Sequence, residues 1–495
     1  MGVVCSVVYS ACSQKAKRLS VIETDVCVLG AGSGGLSYAA GAAQMGARVL
    51  ILESGKMGGD CLNSGCVPSK ALLAASKAAV SGRKAASFGV EYNTPKVDYS
   101  AVLDHVRDTI SKIEPNDSAA RFEKFGCTVI NAHGRFISSR EVECESKKIR
   151  AKRFIIATGS SPSIPDIPGL KEAPYYTTST IWRQKTLPKQ LIIIGGGPVG
   201  LEMALAYQRL GTETTVIETD RILRREDADL VNIARSSLEQ EGIKLLEGAN
   251  ITKIKSSAGL ISAAYVHNGQ AQRVSGTHLL VATGRSPNIN ELNLGVAGVA
   301  TGSDGIKVNS RGATTNRRIF AVGDVASKER FTHVAGHQAS IAIQNTILPP
   351  IPFRKAQNRT DAYPRVTFLD PDVAQVGLNE ETAIAQGVRY RVETADFDSG
   401  DRFVAERKTQ GLIKVLVDAQ DRVIGAGIVG HAAGELIHHW SLAVHRRDKV
   451  TSLVGYIAPY PTMGEINKKI AGKFVAPKIF NSFVRRLVRF WLRFL

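Results

Sequence analysis

Two cysteines five residues apart, Cys61 and Cys66, stand in the run Gly58-Gly59-Asp60-Cys61-Leu62-Asn63-Ser64-Gly65-Cys66-Val67-Pro68-Ser69-Lys70, which opens a helical stretch continuing through residues 71–80. In a regular helix residues so spaced have Cα atoms about 8–9 Å apart, beyond the roughly 7 Å that a disulfide can span. Either the thiols are not bridged or the helix is distorted. Gly65 and Pro68 supply the means of distortion, and a bridge held across such a kink would be reducible rather than structural. The pair is a poor zinc site without further ligands, and Asp60 and Ser64 suggest no role of their own. The chain has seven cysteines, at 5, 12, 27, 61, 66, 127 and 144. They are too few and too uneven for a secreted disulfide framework, so a reducing, cytoplasmic compartment is expected and no metal site is read.

The elements that must position this pair announce themselves by repetition. Residues 26–29 read as a buried strand, Gly30-Ala31-Gly32-Ser33-Gly34-Gly35 as a turn, residues 36–45 as a helix, and residues 48–52 as a second strand ending at Glu53, 23 positions after Gly30. Gly30 permits the tight turn, Gly32 lets backbone approach a pyrophosphate, and Gly35 allows helix and strand to pack closely, with the phosphate at a helix N-terminus. The pattern returns as strand 191–194, turn Gly195-Gly196-Gly197-Pro198-Val199-Gly200, helix 201–210 and strand 214–217 before Glu218, again 23 positions after the first glycine. Two matched copies imply two bound dinucleotides. Each acid is placed to accept a ribose 2′-OH and to repel a 2′-phosphate, so Glu218 favours NAD. Arg221, Arg224 and Arg225 follow closely and leave NADP open.

With 495 residues, 44% hydrophobic and 22% charged, the chain is long enough for two to four globular domains. The net charge of +18 gathers at the ends: residues 466–495 hold eight Lys or Arg and no acid, and three more precede Glu23. Removing those eleven leaves +7 for the body, which argues against nucleic acid as a partner. No uncharged apolar run is long enough to span a bilayer, and the first nineteen residues lack the basic start of a secretory signal.

The cysteine segment with its Pro68-Ser69-Lys70 sequel resembles the redox centre of the class I pyridine nucleotide-disulfide oxidoreductases, closest to their mercuric reductase and dihydrolipoamide dehydrogenase members. The likeness extends over residues 24–472, through Ala157-Thr158-Gly159, Ala282-Thr283-Gly284-Arg285, Ala321-Val322-Gly323-Asp324-Val325 and Pro364-Arg365-Val366-Thr367-Phe368. It implies an α/β fold: two doubly wound dinucleotide-binding domains, for FAD and NAD, and a C-terminal α/β dimerisation domain of a homodimer. The expected division is an N-terminal extension (1–22), an FAD domain (23–155 and 286–355), an NAD(P) domain (156–285), an interface domain (356–474) and a basic amphipathic helix (475–495).

The resemblance also implies roles. Cys66 would be the thiol nearest the flavin and Cys61 the interchange thiol. Lys70 would lie by the flavin N5 and pair with Glu202. Gly30, Gly32, Gly35, Glu53, Gly134, Thr158, Gly159, Ser160 and Asp324 would hold FAD; Gly195, Gly197, Gly200, Glu218, Gly284 and Arg285 would hold the nicotinamide nucleotide. Electrons would pass from NAD(P)H through flavin and dithiol to a small disulfide, a quinone or a soft metal ion. A degenerate flavoprotein acting as a binding module is the reading from another class.

One departure narrows the acceptor. Where dihydrolipoamide dehydrogenase and glutathione reductase present a histidine from the partner subunit, this chain has Tyr460-Pro461-Thr462-Met463-Gly464-Glu465. A phenol with an ordinary pKa of about 10 is a poor base at neutral pH. Tyr460, with Glu465 reaching the partner's cysteines, instead resembles mercuric reductase, although the terminal Cys-Cys and Cys-x-x-Cys relays of those enzymes are missing. His438, His439 and His445 read as helix-surface residues. Beyond residue 477, Arg485, Arg489 and Arg493 recur opposite Phe480, Phe483, Leu487, Trp491 and Phe494, a pattern suited equally to peripheral contact with an anionic membrane and to packing on the dimer. Met1-Gly2-Val3-Val4-Cys5-Ser6 fits a lipidation pattern, but a disordered extension is the expectation there.

Overall fold

The computed structural model describes residues 20–145, 147–349 and 356–495. The N-terminal extension, with Cys5, Cys12 and the lipidation pattern, lies outside them apart from its last three residues, as does the 355/356 boundary.

The strand Ser20–Leu29 lies between Val49–Glu53 and Lys147–Ile156, parallel to both, in a seven-stranded sheet. Thr128–Asn131 closes one edge, Ile319–Ala321 joins the far end of Lys147–Ile156, and the short antiparallel strands Glu141–Cys144 and Arg135–Ser138 finish the other edge. Val26, Cys27, Val28 and Leu29 are all buried, as expected of a central parallel strand covered on both faces. The second unit repeats the plan with five parallel strands in the order Lys244–Leu246, Glu213–Ile217, Gln190–Ile194, His278–Val281, Tyr176–Thr177, beside an antiparallel three-stranded sheet. The third unit is an antiparallel five-stranded sheet, from Arg365–Thr367 to Arg391–Asp396, backed by Ala433–Arg446 and Glu465–Ile479 around Trp440 and Phe474. The first two units are joined by two crossings that pair with each other, Ser160–Pro162 against Arg285–Pro287.

The two Gly-rich turns are built alike. Gly30 and Gly195 have φ of 102° and 112°, a region that favours glycine. A Cβ on Gly35 would lie 1.9 Å from the Gly30 carbonyl oxygen, and one on Gly200 2.0 Å from that of Gly195. The helices Ser33–Gln44 and Pro198–Leu210 can therefore start against their strands only with glycine at those places.

The redox segment is not one helix. It runs as Gly59–Asn63 and then Cys66–Val80, broken at Ser64 and Gly65. Gly65 (φ −105°, ψ −106°) carries the break, and its N–H and that of Ser64 both return to the Asp60 carbonyl, at 2.6 and 2.9 Å. Pro68 is not the cause: it sits in the first turn, where an N–H has no partner inside the helix. The terminal segment also differs from a single helix starting at 475. Glu465–Ile479 continues through Pro477 and ends at Phe480; Asn481 then caps a separate helix, Ser482–Trp491. Pro477 removes one backbone donor within the last turn, and the Asn481 side chain offers a new N-cap, accepting from Val484 N at 2.9 Å. No helix among the described residues is long and apolar enough to cross a membrane.

The paired turns give a discriminating test. Gly200→Ala forces a Cβ into backbone and should cost about 1–3 kcal/mol, lowering the apparent melting temperature. A Cβ on Gly197 would meet nothing within 4 Å, so Gly197→Ala should melt like the parent while binding NADH more weakly by calorimetry. Equal melting of Gly200→Ala would refute the close approach.

Candidate functional site

Cys66 is the first residue of Cys66–Val80, so its sulfur sits at a helix N-terminus. The hydroxyl of Thr332, first residue of the helix Thr332–Thr346, lies 3.5 Å from that sulfur. Two helix N-termini thus meet at one thiol, a setting that favours the thiolate. Cys61 and Cys66 shift each other's acidity in opposite directions. The interaction with Cys61, then Thr332 and the charge of Lys70, lower the Cys66 pKa to about 6, against the desolvation that opposes them. Cys61 is pushed up strongly. The other described cysteines, Cys27, Cys127 and Cys144, are buried, and burial raises all three.

One turn along the same helix, Lys70 Nζ lies 2.6 Å from Glu202 Oε2 and over the Phe368 ring at 4.4 Å. Glu202 is buried, and its other oxygen accepts from Phe368 N at 3.0 Å. The expected pair is formed, and Phe368, which carried no expectation as a partner, completes it.

The acids after the two turns act alike. Glu53 accepts from Ala31 N at 2.6 Å and from Gly55 N at 2.7 Å. Glu218 accepts from Gly196 N at 2.6 Å and Asp220 N at 3.0 Å. Each carboxylate clamps the second residue of its own turn. The three arginines after Glu218 are each engaged by a carboxylate: Arg221 by Glu381 at 2.6 Å, Arg224 by Asp220 at 3.1 Å, and Arg225 by Glu329.

Ser160, Asp324 and Arg285 form one cluster. Ser160 Oγ donates to Asp324 Oδ2 at 2.5 Å, and Arg285 donates from Nε to Ser160 Oγ at 2.7 Å and from Nη2 to the Ser160 carbonyl at 2.6 Å. Arg285 Nη1 also reaches Asp60 at 3.3 Å, next to Cys61. The guanidinium therefore stands with the residues expected around the first dinucleotide rather than the second. Gly134 packs under Leu52 and Val142, where a Cβ would come within 2.5 Å of Leu52. Thr158 ties the crossings together by donating to Asn288 O at 2.8 Å, and Gly159 and Gly284 have open space where a Cβ would be.

Tyr460 and Glu465 do not touch the cysteine pair of their own chain. Tyr460 is 71% exposed and donates to Asp401 Oδ2 at 3.0 Å, which raises its pKa further. Glu465 accepts from Thr462 N at 3.1 Å. His438, His439 and His445 are exposed on Ala433–Arg446. Sequence reasoning missed Asp60 and Thr332. Thr332 opens a helix, which its sequence hints at, but no local signal says which thiol that helix faces.

Two expectations follow. In the reduced protein, one thiolate should appear in the ultraviolet above a pH of about 6 and vanish as pH falls through it; Cys66→Ser should remove it and Cys61→Ala should move it upward. A single ionisation near the ordinary thiol value of about 8.5 would contradict the polarised pair. Lys70→Met strands the buried Glu202 carboxylate, whereas Glu202→Gln leaves a lysine whose side chain is 37% exposed and open to water. The first should therefore destabilise the fold more, by roughly 1–3 kcal/mol, and show the lower melting temperature; the reverse order in thermal melts would refute this account.

Comparison with known proteins agrees with this architecture. The pyridine nucleotide-disulphide oxidoreductase family matches residues 24–339, and its dimerisation domain matches residues 363–471. The chain is 35% identical to a mercuric reductase of Lysinibacillus sphaericus, over 89% of this chain and 81% of that one. It is 31% identical to a dihydrolipoyl dehydrogenase of Chlamydia muridarum, over 89% and 95%. Among solved structures it resembles LpdA from Mycobacterium tuberculosis (TM-score 0.83, 24% identity, covering 91% and 99%). It also resembles the HOCl-induced flavoprotein disulfide reductase RclA from Escherichia coli (TM-score 0.78, 24% identity, covering 90% and 99%). With its paired dinucleotide folds, its dithiol and its dimerisation domain, this chain belongs to the pyridine nucleotide-disulphide oxidoreductase family, whose members are FAD- and NAD(P)-dependent enzymes.

Proposed function

We propose that this enzyme reduces a soft metal ion, in the manner of mercuric reductase, using NADH as the electron source. The observation that carries the reading is the contrast between a polarised dithiol and a Tyr460 that is itself a hydrogen-bond donor to a carboxylate. Oxidising a dithiol substrate needs a base for the thiol proton, and a phenol whose pKa is raised above about 10 is a poor one at neutral pH. A thiophilic cation displaces that proton without help. Dihydrolipoamide oxidation, the runner-up, lacks its base.

The residues present fit a dinucleotide at each turn. At the first, the Gly30-to-Gly35 cradle, Glu53, Gly134, Thr158, Gly159, Ser160 and Asp324 would hold FAD, with Lys70 beside its reactive ring, and we assign Arg285 to this site through Ser160 and Asp60. At the second, Gly195, Gly197, Gly200, Glu218 and Gly284 would hold NADH; Glu218 repels a 2′-phosphate, and each nearby arginine is neutralised by an acid. Bound FAD supplies two-electron transfer between NADH and the cysteine pair. Reduction breaks the Cys61–Cys66 bond, leaving Cys66 as the thiolate and Cys61 as the protonated partner. Hg²⁺ then takes both sulfurs as ligands and Cys61 loses its proton. Overall NADH and Hg²⁺ give NAD⁺, H⁺ and Hg⁰, with two electrons transferred. Within a homodimer, Tyr460 and Glu465 of one protomer would flank the cysteines of the other and orient the metal.

The test is anaerobic NADH titration of FAD-loaded protein, followed by Hg²⁺ or lipoamide. A long-wavelength thiolate–flavin band discharged catalytically by Hg²⁺ is expected. Cys61→Ala should keep flavin reduction and lose Hg²⁺ turnover. Brisk lipoamide turnover would hand the assignment to the runner-up, and sustained Hg²⁺ turnover by Cys61→Ala would refute the role of that thiol.

A further inference from the structure

The helix Ser482–Trp491 is ten residues long and buries none of them. At about 100° per residue, Arg485, Arg486 and Arg489 fall within one arc of roughly a quarter-turn, while Phe483, Leu487, Phe490 and Trp491 occupy the opposite side. Phe483 and Trp491 are 66% and 62% exposed. Hydrogen bonds from Arg493 N to Phe490 O and from Phe494 N to Trp491 O carry the last turn on to the end, adding one more residue of each kind. None of the four arginines pairs with a carboxylate among the described residues. An apolar face of this size, left uncovered, needs an occupant.

We infer that this helix seats the enzyme on an anionic lipid surface. Charge decides between occupants. A second copy packed on the apolar face around a two-fold axis would leave both sets of four arginines turned away from the contact, and residues 466–495 offer no acid to meet them. The helix also lies beyond residue 471, where the match to the family's dimerisation domain ends. A membrane of anionic headgroups takes the arginines at its surface and the Phe, Leu and Trp side chains just below it, with the helix lying flat. The inference concerns docking alone and holds whichever acceptor the dithiol reduces.

The test uses full-length holoenzyme and two kinds of vesicle: phosphatidylcholine alone, and phosphatidylcholine mixed with phosphatidylglycerol. Binding is read by co-sedimentation and by tryptophan emission, since of the three tryptophans Trp440 is buried in the core, Trp182 is half-buried and donates to Ser64 O at 2.9 Å, and Trp491 is exposed. Expected is binding to the anionic vesicles with a blue shift that Trp491→Phe removes, weakened by salt and by at least tenfold on neutral vesicles. Replacing Arg485, Arg489 and Arg493 by Gln should weaken it on the order of a hundredfold, with flavin content and NADH reduction unchanged because, among the described residues, the helix buries none of its side chains. Equal binding to both vesicles, or binding retained after residues 480–495 are removed, would overturn the inference. So would a dimer that dissociates on that removal while the intact protein ignores lipid, which would assign the helix to the second copy.

Discussion

The Lys70–Glu202 ion pair is the constraint on which the arrangement of this enzyme depends. Lys70 is one turn beyond Cys66, and Glu202 stands in the second turn of the helix that follows the second Gly-rich loop. Their 2.6 Å contact fixes the position of the redox helix relative to that loop. Phe368 brings in the third unit, with its N–H on the free Glu202 oxygen and its ring under Lys70. Two turns on from Glu202, the buried Arg209 repeats the tie by reaching Asp370 at 2.8 Å. A buried ion pair contributes little net stability because desolvation offsets attraction, but separating its members strands a charge. The three units can therefore meet in one register, and the ammonium is held beside Cys66.

The two Gly-rich turns solve one problem twice. A strand must end, reverse into a helix and leave N–H groups directed outward for an anion. Gly30 and Gly195 make the reversal, Gly35 and Gly200 admit the helix, and the acids at 53 and 218 bind the N–H of Ala31 and Gly196. The acid, expected to read a ribose, first holds its own turn, and that double duty explains why it must sit at the end of the neighbouring strand.

What could be read in the sequence was what the backbone settles locally. The Gly spacings and buried strand runs located both turns to within a few residues, because a Cβ collides with backbone at Gly35 and Gly200 whatever surrounds them. The break in the redox helix was half legible: Gly65 carries it, whereas Pro68 lies where proline is tolerated. Contacts between distant segments were not legible. Thr332 is 266 residues from Cys66, and Arg285 reaches Ser160 and Asp60 only because the two crossing strands pair. The Lys70–Glu202 pair, 132 residues apart, was anticipated through family resemblance and not from any property of either residue.

Acidity is distributed among the cysteines in a way that bears on the acceptor. Among the described residues, Cys27, Cys127 and Cys144 are held neutral by burial, so nucleophilic cysteine chemistry there is confined to the pair at the helix break. Within that pair the two thiols are driven apart in acidity, Cys66 downward with Thr332 and Lys70 beside it and Cys61 upward. A site arranged in this way has no standing need for an external base. It needs one only when a substrate thiol must be deprotonated for attack, and Tyr460, with its hydrogen committed to Asp401, does not meet that need. A cation that takes both sulfurs as ligands uses the arrangement as it stands, which is the physical reason for proposing a soft metal ahead of a dithiol as the terminal acceptor.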